Sequence, residues 1–450
     1  MSKSEELGIS RVSAAALPAR ETCAFYKSTE QVLAAVSRTA FFRPKHLRTA
    51  PRVLDLFAGA GGFSLGFHLA GGCVSGAVEI DEWACKTLAL NHSETSVVHG
   101  DISLLTDKQI LAVGHSCDII IGGPPCQGYS VANNKAGDPI DPRNSLFREF
   151  VRAVALIRPK AVLLENVPGL LKRKAKSGEF VIDIIVSELK SLGYFVEYRV
   201  LEAQSFGVPQ IRPRLFVVGY MQKPRSAFPS ATHGPDGRAH DLFRTVKPVQ
   251  PYVTLWEAIS DLPDVEARQG AEEMEYCNPA NTDYQALMRG DSPRIYNNVA
   301  MSHSARMVER FSHVRCGDSG MDVPVEHQSR KRGDYSVLSG KSYSQNNRRM
   351  HPGKPCHTIP ASFYANFIHP VKDRNFTPRE GARIQSFPDW YRFYGKPTVV
   401  STKLLAREQR ADELHLCQYN QIGNAVPPLL SFHLARHILA ELAFGETHCA

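Results

Sequence analysis

The chain has 450 residues, of which 43% are hydrophobic and 22% are charged, and 53 Lys and Arg against 45 Asp and Glu give a net charge of +8. These values exclude a wholly disordered chain and a fibrous repeat, and the length allows about two or three domains, or one large domain with an insertion. The mildly basic charge permits a polyanionic partner but does not require one.

The cysteine pattern and the N-terminal sequence predict the cellular compartment of the protein. The ten cysteines are scattered, with no C-x-x-C pair and no Cys/His cluster at zinc spacing, so neither a disulfide scaffold nor a structural metal site is predicted. The first residues lack the basic and apolar regions of a signal peptide, and no apolar run is long enough to span a bilayer. We therefore expect a soluble cytoplasmic protein with no membrane partner.

Strand-like and helix-like segments alternate from Arg52 onward, after a weakly patterned N-terminal extension over residues 1–50. The alternation predicts an α/β fold with a doubly wound, mostly parallel sheet. The predicted strands are Val53–Phe57, Val74–Ile80, Val97–Val98, Cys117–Ile121, Ala161–Val167, Tyr194–Leu201 and Arg214–Tyr220. The predicted helices are Phe63–Ala70, Trp83–Asn91, Leu146–Ile157 and Phe180–Leu192.

The character of the sequence changes after Tyr220. Residues 222–370 are rich in Pro, Asn, Ser, Arg and His and have poor periodicity, which predicts a smaller, loop-rich recognition domain next to the α/β domain over 51–221. In the remaining segment, 371–450, QIGNAVPP (Gln421–Pro428) predicts a stiff turn in which Asn424 caps a helix. The amphipathic stretch Leu429–Leu442 predicts a helix that returns to the first domain.

A glycine-rich loop follows the first predicted strand. In DLFAGAGG (Asp55–Gly62) the glycines stand between a strand and a helix, where the backbone can approach a nucleotide closely, although the segment departs from G-x-G-x-x-G. Glu79 closes the next strand, where a carboxylate can accept hydrogen bonds from both ribose hydroxyls. Asp101 follows the third strand and can face the base. The pattern predicts a nucleoside pocket; a tight turn with a surface glutamate is the alternative.

Cys126 stands in an unusual context. In IIIGGPPCQGYS (Ile119–Ser130) a β-branched run leads through two glycines and two prolines directly to the cysteine. The segment Gly122–Pro125 ends the strand and stiffens the loop at the carboxyl edge of the sheet, where ligands bind in open α/β folds. A buried, inert cysteine is the common alternative. The context nevertheless predicts a thiol that is presented to the pocket.

Two other segments place polar residues beside predicted strands. Glu165 ends an apolar strand, where partial burial raises the pKa of a carboxyl group and favours proton donation, although a solvated strand end is the alternative. Gln210, Arg212 and Arg214 stand just before the last predicted strand. Their position is at the opposite end from the carboxyl edge, unless the loop folds back.

The order of these segments resembles the motif series of DNA cytosine-5 methyltransferases of the prokaryotic restriction-modification type. The resemblance covers roughly residues 53–220 and 375–442, and PPCQ, ENV and QxRxR together are highly specific. The matching motifs are DLFAGAGGFSLG, VEID, GDI, GGPPCQGYS, ENV, QIRPR, REGARIQSFP and QIGNAVPP.

The resemblance implies a covalent mechanism. The Cys126 thiolate would add to C6 of cytosine and make C5 nucleophilic. Glu165 would hydrogen-bond the amino group and N3 of the base, and Arg214 would contact its O2. The supporting residues would be Asn166, which would orient the catalytic loop, Gln210 and Arg212.

The resemblance also implies S-adenosylmethionine as the methyl donor. Glu79 would bind its ribose hydroxyls. The residues that would line the rest of its pocket are Phe57, Gly59, Gly61, Ile80, Asp101, Ile102, Pro125, Leu146, Asn424 and Val426.

Double-stranded DNA is the implied substrate, and its target cytosine must be extruded because a stacked base cannot reach a thiol. The domain over 51–221 would then be catalytic and that over 222–370 would recognise the target, with polar residues such as His303 and Arg310 as further candidates. A solvated loop surface is the alternative for about half of these residues. The predicted DNA contacts are Ser130, Arg330, Arg332, Arg348 and Arg349.

Three other functions are open to the sequence. A transfer-RNA cytosine-5 methyltransferase is disfavoured by the large interval 222–370 and the absence of a CFT tripeptide. A catalytically silent DNA-binding regulator is disfavoured by the intact Cys126, Glu165 and QxRxR set, and a Rossmann dehydrogenase leaves PPCQ and ENV unexplained.

The implied setting is a nucleoid-associated monomer paired with a cognate restriction endonuclease that acts on the same DNA site. The N-terminal extension over residues 1–50 and a polar insertion at about 397–417 lie outside the motif series.

Overall fold

The computed structural model describes residues 50–125, 146–175, 177–240, 246–331, 334–339, 347–398, 405, 407–410 and 414–448. The longer strands are β1 (Arg52–Leu56), β2 (Cys73–Glu79), β3 (Ser96–His99), β4 (Ile119–Gly122), β5 (Ala161–Asn166), β6 (Phe195–Glu202) and β8 (Pro213–Tyr220), with the short β7 (Gln210–Ile211) between the last two. The helices of this part of the chain are α1 (Gly62–Leu69), α2 (Glu82–Asn91), α3 (Asp107–Val113), α4 (Leu146–Ile157) and α5 (Val181–Ser191).

The seven longer strands form one sheet in the order β3-β2-β1-β4-β5-β8-β6. β8 is antiparallel to both of its neighbours, and the other pairs are parallel. The predicted α/β fold with a mostly parallel sheet is confirmed. The strand order reverses between β1 and β4, so their carboxyl ends form the crevice in which open α/β sheets bind ligands.

Helices cover both faces of the sheet, which explains why β4, β5 and β8 in its interior are almost continuously apolar rather than alternating. On one face Val53, Ile121 and Leu163 pack with α1 and with the C-terminal helix α12 (Pro428–His448). On the other face Leu54, Ile120 and Val162 pack with α4 and α5. The C-terminal helix therefore packs against one face of the sheet.

The close approach of α12 to α1 requires a glycine. A Cβ at Gly66 would lie 2.3 Å from the Cβ of Ser431. The Ser431 Oγ donates a hydrogen bond of 2.7 Å to the Phe63 carbonyl, so the two helices are also joined by a buried polar contact.

The remaining chain forms short elements around a second core. Its strands are β9 (His233–Gly234), β10 (Arg238–His240), β11 (Val246–Pro248), β12 (Gln250–Pro251), β13 (Gly270–Glu275), β14 (Arg294–Val299), β15 (Arg330–Lys331), β16 (Asp334–Leu338), β17 (Arg348–Arg349), β18 (Cys356–His357) and β19 (Phe367–Ile368). Its helices are α6 (Leu255–Ile259), α7 (Asp283–Arg289), α8 (Ala305–Ser312), α9 (Phe363–Asn366), α10 (Pro378–Ile384) and α11 (Gln418–Asn424).

This second core joins residues from both sides of the boundary that the sequence places at residue 370. Leu255 and Ile359 pack in the same cluster as Phe387 and Tyr419. Residues 255–425 supply most of this cluster, together with Ala60 and Leu65 of the sheet domain. We refer to residues 255–425 as the small domain. β7 pairs with β18 and so connects the small domain directly to the strand that enters the central sheet.

Most predicted elements lie within a few residues of the observed ones, and α4 has the predicted bounds. The short α3 was not predicted, although Thr106 and Gln109 form a capping box at its start. The interpretation of Asn424 as a helix cap is wrong, because Asn424 is the last residue of α11. No helix in the described ranges is both long and apolar enough to cross a membrane.

Candidate active site

The predicted site residues converge on one edge of the sheet. The carboxyl ends of β1, β2, β4 and β5 carry Phe57, Glu79, the Gly123–Pro125 segment and Glu165. Arg214 joins them because β8 is antiparallel, which places its first residues beside the last residues of β5. The sequence-based expectation that the residues before β8 lie at the opposite edge is therefore wrong, and no loop has to fold back.

The glycine loop after β1 is tied to the end of β2 by the predicted ribose-binding carboxylate. Glu79 Oε2 accepts a hydrogen bond of 2.7 Å from the Gly59 N–H, and its Oε1 accepts from the N–H groups of Ile80 and Asp81. Glu79 is 8% exposed, and burial raises the pKa of its carboxyl group against the opposing effect of these hydrogen bonds. A carboxylate oxygen has two lone-pair directions, so Oε2 can accept a further bond from a ligand hydroxyl.

The loop is held in an unfavourable backbone conformation. Phe57 has φ +59°, and Gly59 and Gly61 have φ +54° and +80°. An aromatic residue with positive φ costs about 1–3 kcal/mol, so neighbouring contacts must hold it there. A Cβ at Gly59 would meet nothing within 4 Å, so an open space borders the loop on the side where a nucleoside is predicted.

The other predicted cofactor residues fall into two groups. Ile80 is 62% exposed beside Glu79, and Asp101 accepts from Ser103 at the end of β3 while remaining partly exposed. Leu146 is partly exposed, and Asn424 is exposed. Ile102 and Val426 are 3% and 8% exposed and pack in the cores of the sheet domain. Ile80 and Asp101 are therefore accessible beside the Glu79 carboxylate, whereas Ile102 and Val426 are buried in the protein interior.

Asp55 is a buried carboxylate at the end of β1 to which the sequence analysis assigns no role. It is 1% exposed, its Oδ2 accepts a 2.6 Å hydrogen bond from the Ser64 Oγ, and its Oδ1 has no hydrogen-bond partner among the described residues. Burial, reinforced by the nearby Glu79, raises the pKa of Asp55 to about 7. The native state therefore holds a proton on this group that an unfolded chain would release near pH 4.

This proton makes stability depend on pH. Between the ordinary pKa of 3.8 and the folded value of about 7 the native state binds more protons than the unfolded state, so the free energy of unfolding falls as pH rises, by up to roughly 4 kcal/mol. Asp55→Asn has no proton to lose and should remove this decline. Urea unfolding of both proteins from pH 4 to pH 8 tests it, and parallel curves would contradict it.

The loop that leads to Cys126 is tethered by the residue predicted to orient it. Asn166 Nδ2 donates a hydrogen bond of 3.2 Å to the Pro124 carbonyl, and its Oδ1 accepts from the Val167 N–H. Asn166 is 6% exposed at the end of β5. Cys126 itself lies outside the described residues, which end at Pro125 on this side of the gap.

Glu165 and Arg214 form an ion pair next to this loop. Arg214 Nε lies 3.0 Å from Glu165 Oε1, and both side chains are largely buried. Burial raises the pKa of Glu165 despite the two nearby arginines, which is the predicted direction. A Cβ at Gly123 would lie 3.2 Å from Glu165 Oε2. The second carboxyl oxygen of Glu165 therefore faces the backbone three residues before Cys126.

Gln210 and Arg212 occupy a buried network behind this ion pair. Arg212 is 2% exposed and donates to the carbonyls of Ile359, Gly423 and Ala425. Gln210 Oε1 accepts from the Ile359 N–H, and its Nε2 donates to Gln385. These contacts fix β7 and Arg212 against the small domain.

The structure corrects one predicted DNA contact. Arg349 is 8% exposed, and its five N–H groups donate to the carbonyls of Phe311, Val314, His369 and Lys372 and to Asp373. No donor is left for a phosphate, because a guanidinium has five N–H groups in all. Arg349 is therefore a structural residue of the small domain.

The other predicted DNA contacts differ in their surroundings. Arg348 and Arg330 are partly exposed, and Arg330 donates one hydrogen bond to the Val325 carbonyl. His303 is buried, and Arg310 is held by the His327 carbonyl, so neither presents a free side chain at the surface. Ser130 and Arg332 lie outside the described residues.

Comparison with known proteins assigns the family. Residues 51–440 match the C-5 cytosine-specific DNA methylase family. The chain belongs to this family. It is 46% identical over 386 residues to Type II methyltransferase M.DdeI of Desulfomicrobium norvegicum, a match that covers 86% of this chain and 88% of the relative.

Two further comparisons agree with this assignment. The chain is 34% identical to Type II methyltransferase M1.HphI of Haemophilus parahaemolyticus, with 86% of each chain covered. Its fold is similar to a solved E. coli prophage protein described as a DNA modification methyltransferase, with a TM-score of 0.63, 26% identity, and coverage of 87% of this chain and 99% of that one.

The family membership makes this chain a DNA cytosine-5-methyltransferase of the restriction-modification type. Membership of this family implies the use of S-adenosylmethionine, and the spare acceptor position of Glu79 Oε2 and the open space beside Gly59 fit its ribose. Within the part of the chain that the structure describes, no group of His, Cys, Asp and Glu side chains is arranged to hold a metal ion.

Several residues of the site escape the sequence analysis. Gln385 links Gln210 to the carbonyls of Ile422 and Ala425, and it stands within the quoted motif REGARIQSFP. A fully buried glutamine at a helix end has no local sequence signal that distinguishes it from an exposed one. Tyr391, which contacts the glycine loop, lies more than three hundred residues away from it in the sequence.

Proposed function

We propose that the enzyme methylates C5 of an extruded cytosine through a covalent bond between Cys126 and C6. The observation that carries this proposal is the ion pair of Glu165 with Arg214. It lies beside the loop that leads to Cys126, which Asn166 holds by a hydrogen bond to the Pro124 carbonyl, two residues before the cysteine. C5 of cytosine is too weak a nucleophile to accept a methyl group unaided, so the ring must first be activated by addition at C6.

Each group at the sheet edge then has a defined task. The Cys126 sulfur forms a bond to C6, the electron pair of the C5–C6 double bond moves to the C4–C5 bond, and the electron pair of the C4–N3 double bond moves onto N3. The resulting enamine makes C5 nucleophilic. Glu165 delivers a proton to N3, and burial raises the pKa of its carboxyl group in the direction that suits a proton donor. Arg214 holds the Glu165 carboxyl group in place and contacts the cytosine O2.

The second half of the reaction restores the aromatic ring. When bound, S-adenosylmethionine supplies an electrophilic methyl group to C5. Water removes the C5 proton, the C5–C6 double bond re-forms as the Cys126 thiolate leaves C6, and N3 returns its proton to Glu165. Glu79 would hold the donor at its ribose hydroxyls. Phe57, Ile80 and Pro125 would surround the adenosine, and the backbone at Gly59 would lie next to it.

The covalent intermediate requires an extruded base, because the thiol cannot reach C6 within the stacked duplex. The small domain faces the site through β18, whose His357 is exposed next to Ile211 on the catalytic side. We assign recognition of duplex DNA to this side of the small domain, with Arg348 and Arg330 as contacts to the phosphate backbone.

Trapping the intermediate tests this mechanism. A duplex that carries 5-fluorocytosine at the target position cannot lose its C5 substituent as a cation after methyl transfer, so the C6–sulfur bond should persist. We expect a protein–DNA adduct that survives denaturation, requires S-adenosylmethionine and contains Cys126 in the linked peptide. Methylation of ordinary duplex DNA without any adduct on the fluorinated duplex would overturn the covalent mechanism.

A further inference from the structure

The glycine loop is held by contacts from two different parts of the molecule. Within the sheet domain the Gly59 N–H donates to Glu79, the Ala58 N–H to the Val78 carbonyl and the Gly61 N–H to the Ala58 carbonyl, and His92 contacts the Gly61 backbone. From the small domain, the Tyr391 hydroxyl donates a 2.5 Å hydrogen bond to the Ala60 carbonyl.

Tyr391 is built firmly into the small domain. It is fully buried, and its ring packs against Phe387 and Phe393 at centroid distances of 4.9 and 5.5 Å. Its hydroxyl oxygen also lies 3.3 Å from Nε2 of His92, which is buried at the end of α2. Burial lowers the pKa of His92 to about 3, so a neutral imidazole lies beside the tyrosine hydroxyl.

The approach of Tyr391 leaves no room for a side chain at position 61 of the loop. A Cβ at Gly61 would lie 2.7 Å from the Tyr391 hydroxyl. The loop contains a phenylalanine with positive φ at its start, which is a conformation that the surrounding contacts must hold in place. A hydroxyl that fixes the Ala60 carbonyl, three residues after Phe57, is positioned to do so.

We propose that Tyr391 is a positioning residue that sets the glycine loop in its cofactor-binding conformation from the small domain. This inference rests on the proposed binding of S-adenosylmethionine at the loop. The same small domain is fixed to β7 through Gln210 and Gln385. Through Tyr391, the affinity for the methyl donor depends on how the small domain packs against the glycine loop. The small domain is also the part to which we assign DNA recognition.

Tyr391→Phe tests the proposal by removing one oxygen atom. We expect the Kd for S-adenosylhomocysteine, measured by calorimetry without DNA, to rise about tenfold, because the unpaired Ala60 carbonyl releases the loop. The KM for S-adenosylmethionine should rise in parallel while kcat at saturating donor stays within about twofold. Amide hydrogen exchange in residues 57–66 of the ligand-free protein should accelerate.

Tyr419→Phe is the matched control. Tyr419 is also fully buried in the small-domain core, and its hydroxyl donates to the Phe376 carbonyl at 2.9 Å, away from the loop. This variant should lose similar thermal stability but leave the Kd and the exchange of residues 57–66 unchanged. Equal values of both for the two variants would overturn the proposal, even if both are destabilised. Failure of the wild-type protein to bind S-adenosylhomocysteine would instead overturn the proposed cofactor site.

Discussion

Replacing Cys126 with alanine should abolish methylation of duplex DNA. Alanine removes the sulfur that adds to C6 and leaves C5 without activation, so we expect kcat to fall by about 10⁴-fold or more. The loss should occur without weaker binding, because a single sulfur atom contributes little to contacts with the DNA backbone. Incorporation of a radiolabelled methyl group into duplex DNA measures the rate, and a gel-shift titration measures DNA affinity.

The chain offers a matched control for this substitution. Cys277 is a free, exposed cysteine far from the sheet edge in the sequence, beside β13. Cys277→Ala should retain full activity. A Cys126→Ala variant with substantial residual turnover would remove the thiol from the mechanism, whatever its effect on DNA binding.

Glu165→Gln should lower kcat by about 10²–10³-fold while changing the affinities for DNA and S-adenosylhomocysteine by less than about threefold. Glutamine keeps the size of the side chain and an oxygen that can accept from Arg214 Nε, which lies 3.0 Å from the glutamate in the native protein. It cannot deliver a proton to N3, so the negative charge that develops on the ring is left uncompensated. Single-turnover methylation separates this chemical step from product release.

Glu188→Gln is the matched control for Glu165→Gln. Glu188 is a partly buried glutamate on α5 whose pKa burial also raises, but it lies outside the site. This variant should methylate DNA at the wild-type rate. Equal rates for Glu165→Gln and wild type would exclude Glu165 as the proton donor.

The sheet edge is the part of the site that sequence reasoning predicts best. Short apolar runs followed by Gly, Pro or an acidic residue locate the strand ends, and parallel strands necessarily bring these ends together. Glu79 and Glu165 could therefore be assigned to one edge from the sequence. The direction of β8 could not, because an antiparallel strand within a mostly parallel sheet has the same apolar pattern as its parallel neighbours.

The small domain is much less predictable. Arg348 and Arg349 are adjacent and chemically identical, yet the second is enclosed by backbone carbonyls and only the first is partly exposed. Tyr391 acts on a loop more than three hundred residues away. Such roles depend on long-range packing, which neither local periodicity nor composition reports.

Bisulfite sequencing of duplex DNA, after incubation with the purified protein and S-adenosylmethionine, tests the central claim most directly. The account predicts protected cytosines confined to one short sequence and their complete loss with Cys126→Ala. Unmodified duplex DNA, with methylation of transfer RNA in a parallel reaction, would contradict it. So would protected cytosines that persist in the Cys126→Ala variant.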